Sequence, residues 1–214
     1  MTFLQRLAAS AIRRLGPLLH DTYPDPVPLS AEHIERCRVV ENRYALLRLL
    51  PNGAVCAEVG IAEGTFSAAI LLATKPSRLH LIDIDSEIIA KAAERFRPEI
   101  ERGIVELHHG DSSTVLRSFP ERTFDWVYID ADHRYETVQR DLEAARAAVK
   151  PDGYIVANDY TSYDPLGMLK YGVVEAVNAM CRDHGYEILA FAFEPRMFCD
   201  VVLGRRGIAR GLGR

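Results

Sequence analysis

No run of apolar residues in this chain approaches the roughly 20 needed to span a bilayer, which excludes a membrane-spanning helix. The first twenty residues, MTFLQRLAASAIRRLGPLLH, are broken by Arg6, Arg13 and Arg14. They lack the apolar core of a secretion signal and read as a short amphipathic helix packed on the domain or on a second copy of the chain. Cysteine is scarce. Cys37, Cys56, Cys181 and Cys199 show no paired spacing, which argues against a cysteine zinc site or a disulfide framework and fits a reducing cytoplasm. Positive charge is not in excess either. Lys and Arg number 26 against 30 Asp and Glu, a formal net charge of −4, so neither a nucleic-acid footprint nor a membrane-surface patch is expected. The Gly-x-Gly-x-x-Gly spacing of dinucleotide enzymes is absent, as is any internal repeat.

What is present is enough for one full core: 214 residues, 48% of them hydrophobic. The organising stretch is 124–160. Two apolar runs, 124–129 and 154–157, end in Asp130-Ala131-Asp132-His133 and Asn158-Asp159. Between them Tyr135, Val138, Leu142, Ala145 and Val149 recur at three- and four-residue steps, the stripe of an amphipathic helix, and Lys150-Pro151-Asp152-Gly153 stops it. Strand, helix and strand in this order imply parallel strands, whose carboxyl ends share one edge of the sheet. Open α/β sheets bind ligands at that edge.

The rest of the chain alternates in the same way. Residues 21–30 hold Pro24, Pro26 and Pro28 and read as a linker, after which Ser30 looks like the N-cap of a helix reaching about Leu50. Strands are expected at 54–59, 79–84, 104–108, 187–193 and 197–203, with helices between the first ones and over 168–183. The link Glu194-Pro195-Arg196 is of hairpin length, so the last strand should run antiparallel. The expectation is a doubly wound α/β sheet. Three parts follow: amino-terminal helices and linker over 1–50, the main domain over 51–204, and a basic, flexible tail over 205–214.

Candidate chemistry gathers at the strand ends. Glu58-Val59-Gly60-Ile61-Ala62-Glu63-Gly64 turns the first strand into a helix, and its glycines permit a tight turn or close approach of a ligand. Glu63 would repel a pyrophosphate but suits a ligand carrying positive charge. Asp83 ends the second strand about 20 residues on, where a carboxylate accepts hydrogen bonds from ribose hydroxyls, while Asp85 is read as the cap of the next helix. Asp111 and Ser112 end the third strand, either against an adenine edge or as another helix cap. Asp130, Asp132, Asn158 and Asp159 form an oxygen-rich patch of the kind that hard cations such as Mg²⁺ require; surface turns are the plainer reading. His133 beside such a site is suited to general-base work at neutral pH.

Taken together, Glu58-Val59-Gly60-x-x-x-Gly64-x-x-Ser67, Asp83, Gly110-Asp111 and Ile129-Asp130-Ala131-Asp132-His133 resemble the class I S-adenosylmethionine-dependent methyltransferases. Within that class the chain is similar to the small metal-dependent O-methyltransferases: the catechol and caffeoyl-CoA enzymes and, more closely, the bacterial group acting on macrolide sugars. The resemblance spans roughly residues 54–203. It implies a mostly parallel seven-stranded sheet with an antiparallel last strand. It implies S-adenosylmethionine bound by Glu58, Gly60, Gly64, Ser67, Asp83, Asp111, Ser112 and Asp130, and Mg²⁺ held by Asp130, Asn158 and Asp159. His133 would be the base and Asp130 its catalytic neighbour. The acceptor would be a hydroxyl of a small molecule, and the amino-terminal helices could pair two copies. One departure stands out. The macrolide group has two acids where this chain has Asn158-Asp159, and the catechol enzymes have acid then amide, the reverse order.

Overall fold

The computed structural model describes residues 26–164, 169–208 and 212–213. The expected amino-terminal helix and its pairing role lie outside the described residues, as do residues 21–25 and 165–168.

A single 3₁₀ turn, Ala31–His33, precedes β1 (Arg38–Val40) and α1 (Arg43–Leu47). Then come β2 (Val55–Val59), α2 (Thr65–Thr74), β3 (Arg78–Asp83), α3 (Ser86–Arg95), α4 (Arg97–Glu101), β4 (Val105–His109) and α5 (Ser112–Ser118). After these follow β5 (Phe124–Ile129), α6 (Tyr135–Ala148), β6 (Val149–Ala157), the short β7 (Tyr163–Asp164) and β8 (Leu169–Lys170), α7 (Val173–His184), β9 (Tyr186–Ala192) and β10 (Asp200–Arg205). The main sheet has the order β1-β9-β10-β6-β5-β2-β3-β4, and β7 pairs with β8 separately. Strands β2 to β6 are parallel, and β10 runs antiparallel between β6 and β9.

Both faces of the sheet are covered. Ala57, Val59, Val127 and Ile155 face Leu142 and Ala145 of α6 and Val177 of α7. Cys56, Leu81, Trp126 and Val156 face Leu46 and Leu47 of α1 and Ile70 of α2. Burial on both sides explains why the central strands read as continuous apolar runs rather than as an alternation. After β4 the chain crosses over β3 and β2 to lay down β5 on the other side of β2. The ends of β2 and β5 therefore form the switch point of the sheet.

Four expectations need correction. Among the described residues the sheet has eight strands, because Arg38-Val39-Val40 pairs in parallel with residues 190–192 along the outer edge of β9 and satisfies backbone groups that an open edge would expose. The long helix expected from Ser30 to Leu50 is broken up accordingly. Ser30 opens only the 3₁₀ turn, and α1 starts at Asn42, whose side chain accepts the Ala45 N–H at 2.9 Å. Lys150-Pro151-Asp152-Gly153 does end α6, yet it belongs to β6 rather than to a turn. Nor is all of 205–214 a free tail. Arg205 closes β10, Leu212 is buried, and Gly213 bonds Leu49 and Arg38 at 3.1 and 2.6 Å.

At the switch point Gly60 has a φ of 85°, and a Cβ there would overlap the Asp130 carbonyl. Gly103 has a φ of 71° with open space around it. Backbone strain alone costs an L residue about 1–2 kcal/mol at either place. Gly60→Ala should therefore destabilise by about 2 kcal/mol or more beyond Gly103→Ala, measured by urea unfolding. Equal losses in the two variants would show that the loop can draw away from Asp130.

Candidate active site

A cleft of about 430 Å³ opens over the carboxyl ends of β2 to β5 and is lined by Gly60, Asp83, Gly110, Asp111, Ser112 and Asp130, among others. Its floor is built by the glycine loop. The Gly60 N–H donates to the Ile82 carbonyl at 2.9 Å, and the Asp130 N–H donates to the Val59 carbonyl at 2.8 Å. Asp83 fixes the loop from the side, its two oxygens accepting the N–H groups of Ile61 and Asp85, each at 2.9 Å. Asp85 caps α3 as expected, taking the Glu87 N–H at 2.8 Å.

Gly64 lies at the start of α2 in the left-handed region and is not among the residues lining the cleft; a Cβ there would press on the Phe96 ring. Asp111 is the cap of α5. Three hydrogen bonds from Ser113 and Thr114 fall on its Oδ1 and hold its pKa below the ordinary value. The Ser112 hydroxyl donates to Asp141 at 2.6 Å, and burial pushes that hidden carboxyl up to about 6. Glu58 and Ser67 do not line the cleft. Both are buried beneath the loop, and neither Glu58 Oε2 nor the Ser67 hydroxyl has a hydrogen-bond partner of good geometry among the described residues, although Ser67 lies near enough to pull the Glu58 pKa down. Burial raises the Glu58 pKa to about 8. Their place is beneath the glycine loop, outside the lining of the cleft.

Asp130, His133, Asn158 and Asp159 do come together. His133 Nε2 stands 3.9 Å from Asp130 Oδ1, 3.3 Å from Asn158 Oδ1 and 3.4 Å from Asp159 Oδ2. The imidazole is stacked on Tyr171 with ring centres 4.4 Å apart, and its backbone carbonyl accepts the Gly172 N–H at 2.8 Å. His133 does not cap α6. The cap position is Arg134, whose N–H is taken by Asp132 at 2.9 Å. Asp159 has a φ of 53°, a strained value for a residue with a side chain.

Two further groups belong to the patch and carried no motif. Arg43, at the start of α1, donates to Asp130 Oδ2 at 2.9 Å, lies 3.6 Å from Asp200 Oδ2, and sits 3.8 Å above the Phe66 ring. Burial would lower its pKa, but Tyr128, Asp200 and Asp130 around it reverse the effect and hold it above the ordinary value. Asp200, at the start of β10, accepts from the Tyr128 hydroxyl and from Asn158 Nδ2, the latter at 2.9 Å. Burial raises the pKa of Asp130, Asp159 and Asp200, that of Asp159 to about 6, although Arg43 pulls each of them down. Three carboxylates around one guanidinium leave the patch short of positive charge. Two carboxylates and an amide oxygen are donors of the type a hard divalent cation takes, although Asp130, Asp159 and His133 are not among the described groups whose donor atoms all lie within 4.8 Å of one another.

Residues 57–160 match the family described as a methyltransferase domain. By sequence the chain is 30% identical over 131 residues to a hybrid PKS-NRPS synthetase of Penicillium crustosum and 27% identical over 115 residues to one of Petromyces alliaceus. These stretches cover 60% and 51% of this chain but only 3% of each synthetase. Among solved structures, a SAM-dependent methyltransferase from Aquifex aeolicus superposes with a TM-score of 0.59 at 17% identity, covering 91% of this chain and 96% of that one. The pyocyanin biosynthetic protein PhzM gives 0.57 at 21%, covering 76% and 53%. The Bacillus subtilis tRNA methyltransferase TrmK gives 0.57 at 16%, covering 78% and 67%. These likenesses establish the fold. Residues 57–160, a little under half of the chain, are thus similar to a methyltransferase domain, and the chain shares the fold of these methyltransferase structures.

The buried Glu58 makes a pH test of this architecture. Its pKa is about 8 in the folded chain against an ordinary 4.5, so the folded state holds a proton there that the unfolded chain has released. The stability this contributes is full below about pH 4.5 and is lost as pH rises towards about 8. Glu58→Gln, neutral throughout, should be more stable than wild type at pH 8 by a few kcal/mol, with the gap closing near pH 5. Urea unfolding at the two pH values measures it. A gap that does not change with pH would mean that Glu58 is not held protonated.

Proposed function

We propose that the domain transfers the methyl group of S-adenosylmethionine to a hydroxyl oxygen of a small molecule, with Asp130, Asn158 and Asp159 holding Mg²⁺ and His133 taking the proton. The observation that carries this reading is the convergence of the three oxygens on His133 Nε2, beside the cleft that Gly60 and Asp83 shape. The sulfonium methyl carbon is already electrophilic. The acceptor oxygen attacks it, the sulfur–carbon bond breaks, and S-adenosylhomocysteine and a proton remain. Holding the two reactants in line at about 3–3.5 Å supplies roughly 7–11 kcal/mol of the barrier. Bound at the patch, Mg²⁺ would supply Lewis-acid stabilisation of the developing oxyanion. His133 receives the hydroxyl proton, its ring fixed by Tyr171 and by the Gly172 contact. Asp83 serves the ribose and Asp111 with Ser112 the adenine end. Glu58, Gly64 and Ser67 act by supporting the loop.

A small-molecule acceptor is favoured by two kinds of likeness: to PKS-NRPS synthetases and to a pyocyanin biosynthetic protein. TrmK shows that the same fold also serves RNA, but the net charge of −4 offers no footprint for it. A second reading rests on Arg43. Its guanidinium already lies among the carboxylates, so it could supply the positive charge in a metal-independent enzyme.

Labelled S-adenosylmethionine and a panel of hydroxylated small molecules decide between them. Activity should vanish in EDTA and return with Mg²⁺. His133→Ala and His133→Asn should each lower kcat by about 10²–10⁴-fold with S-adenosylhomocysteine affinity unchanged by calorimetry. Turnover that persists in EDTA and disappears in Arg43→Gln would transfer the role of the cation to Arg43. Calorimetry on Asp83→Ala should show weakened cofactor binding. Unchanged affinity there removes Asp83 from the ribose.

A further inference from the structure

We propose that His80, Glu106 and His108 form a separate binding site for a divalent transition-metal ion of the zinc type. Among the described residues these three offer donor atoms that all lie within 4.8 Å of one another. The site follows from strand register. His80 of β3 pairs with Glu106 of β4, and Ile82 pairs with His108, so alternate positions bring all three side chains to one face of the sheet. Strand β4 is the edge of the sheet, which opens the site to solvent.

His80 Nδ1 and His108 Nε2 face each other at 2.9 Å. Glu106 stands equally far from both, Oε2 at 3.7 Å from His80 Nδ1 and Oε1 at 3.7 Å from His108 Nε2. Bonds of about 2.0–2.2 Å in a tetrahedral zinc site place donors roughly 3.3–3.6 Å apart. The observed separations lie on either side of that range. Two imidazoles and one carboxylate leave a fourth position for water. This donor set selects zinc, cobalt or nickel over Mg²⁺, in contrast to the all-oxygen patch at His133.

The surroundings hold the rings ready. His80 is buried with its ring edge-on to Phe119 and Phe124, and His108 is edge-on to Phe119. Burial lowers the pKa of both histidines, that of His80 to about 4, so both are neutral at pH 7, the form that binds metal. A hydrogen bond between two neutral histidines would account for the 2.9 Å contact alone. It gives no role to a carboxylate placed symmetrically between them. Arg78 Nη1 lies 3.8 Å from Glu106 Oε2, but its side chain is about half exposed and the pair is weak. The ion would tie β3 to β4 a few residues before Asp83 and Gly110.

The test uses the whole chain after dialysis against a chelator. Titrated Co²⁺ should give the intense visible absorption of a four-coordinate ion at one per chain. Zn²⁺ should displace it and raise the melting temperature. Glu106→Gln alters an exposed side chain and should fold normally, as circular dichroism will show. It and His108→Gln should each weaken Co²⁺ binding by about a hundred-fold or more and abolish the thermal shift. Asp159→Asn should leave the cobalt spectrum unchanged. The proposal fails if the four-coordinate spectrum is absent, if it survives in both Glu106→Gln and His108→Gln, or if it is lost in Asp159→Asn.

Discussion

The carboxyl edge of this sheet depends on how closely two backbones pass at the switch point. Gly60 runs beneath the carbonyl of Asp130 with no room for a side chain, and the Asp130 N–H reaches back to Val59. That contact fixes the loop under the cleft and at the same time fixes the start of the Asp130–His133 segment. Asp83 completes the arrangement by accepting from the N–H of Ile61 in the same loop. The loop, Asp83 and the start of the acid patch are therefore tied together, and a displacement at Gly60 would be felt at Asp130.

The second constraint is charge. Asp200 is buried and Asp130 and Asp159 are partly buried at the ends of three adjacent strands, and Glu58 lies buried near Asp130. Burial of this many carboxylates is tolerable only with cations or protons among them. The chain meets the demand in part with Arg43, which is fixed by a flat contact on Phe66 as well as by its ion pairs. The glycine loop and the acid patch thus form a pocket that favours a positively charged ligand, which a sulfonium is.

How much of this was legible in the sequence follows from the range of the interactions. The strand ends were readable because the parallel βαβ rule maps local order onto one edge, and it brought Asp130, His133, Asn158 and Asp159 together correctly. Asp85 as a cap was readable because capping is local. Glu58 and Ser67, which the resemblance assigns to the cofactor, are buried outside the cleft lining, because a motif marks a neighbourhood and not the direction in which a side chain points. Residues 30–50 were read as one helix because Val39 and Val40 fit an apolar stripe as well as they fit a strand, and only the open edge of β9 decides between the two. His80 and His108 are 28 positions apart, and only the pairing of β3 with β4 makes them neighbours.

Asp200 was only partly within reach. An antiparallel final strand begins at the edge where the parallel strands end, so its first acid joins the patch, but with the strand expected from 197 Asp200 stood as its fourth residue, and only the observed start at Asp200 brings it to the edge. Its position also accounts for the unusual order Asn158-Asp159. Asn158 is buried, its Nδ2 donating to Asp200 and its Oδ1 facing His133. An acid at 158 would set a second carboxylate against Asp200 at about hydrogen-bond distance, where like charges repel and burial removes the screening of water. An amide can donate to one neighbour and accept from the other, so it satisfies both. Asn158 is therefore the residue that lets the ends of β6 and β10 lie side by side.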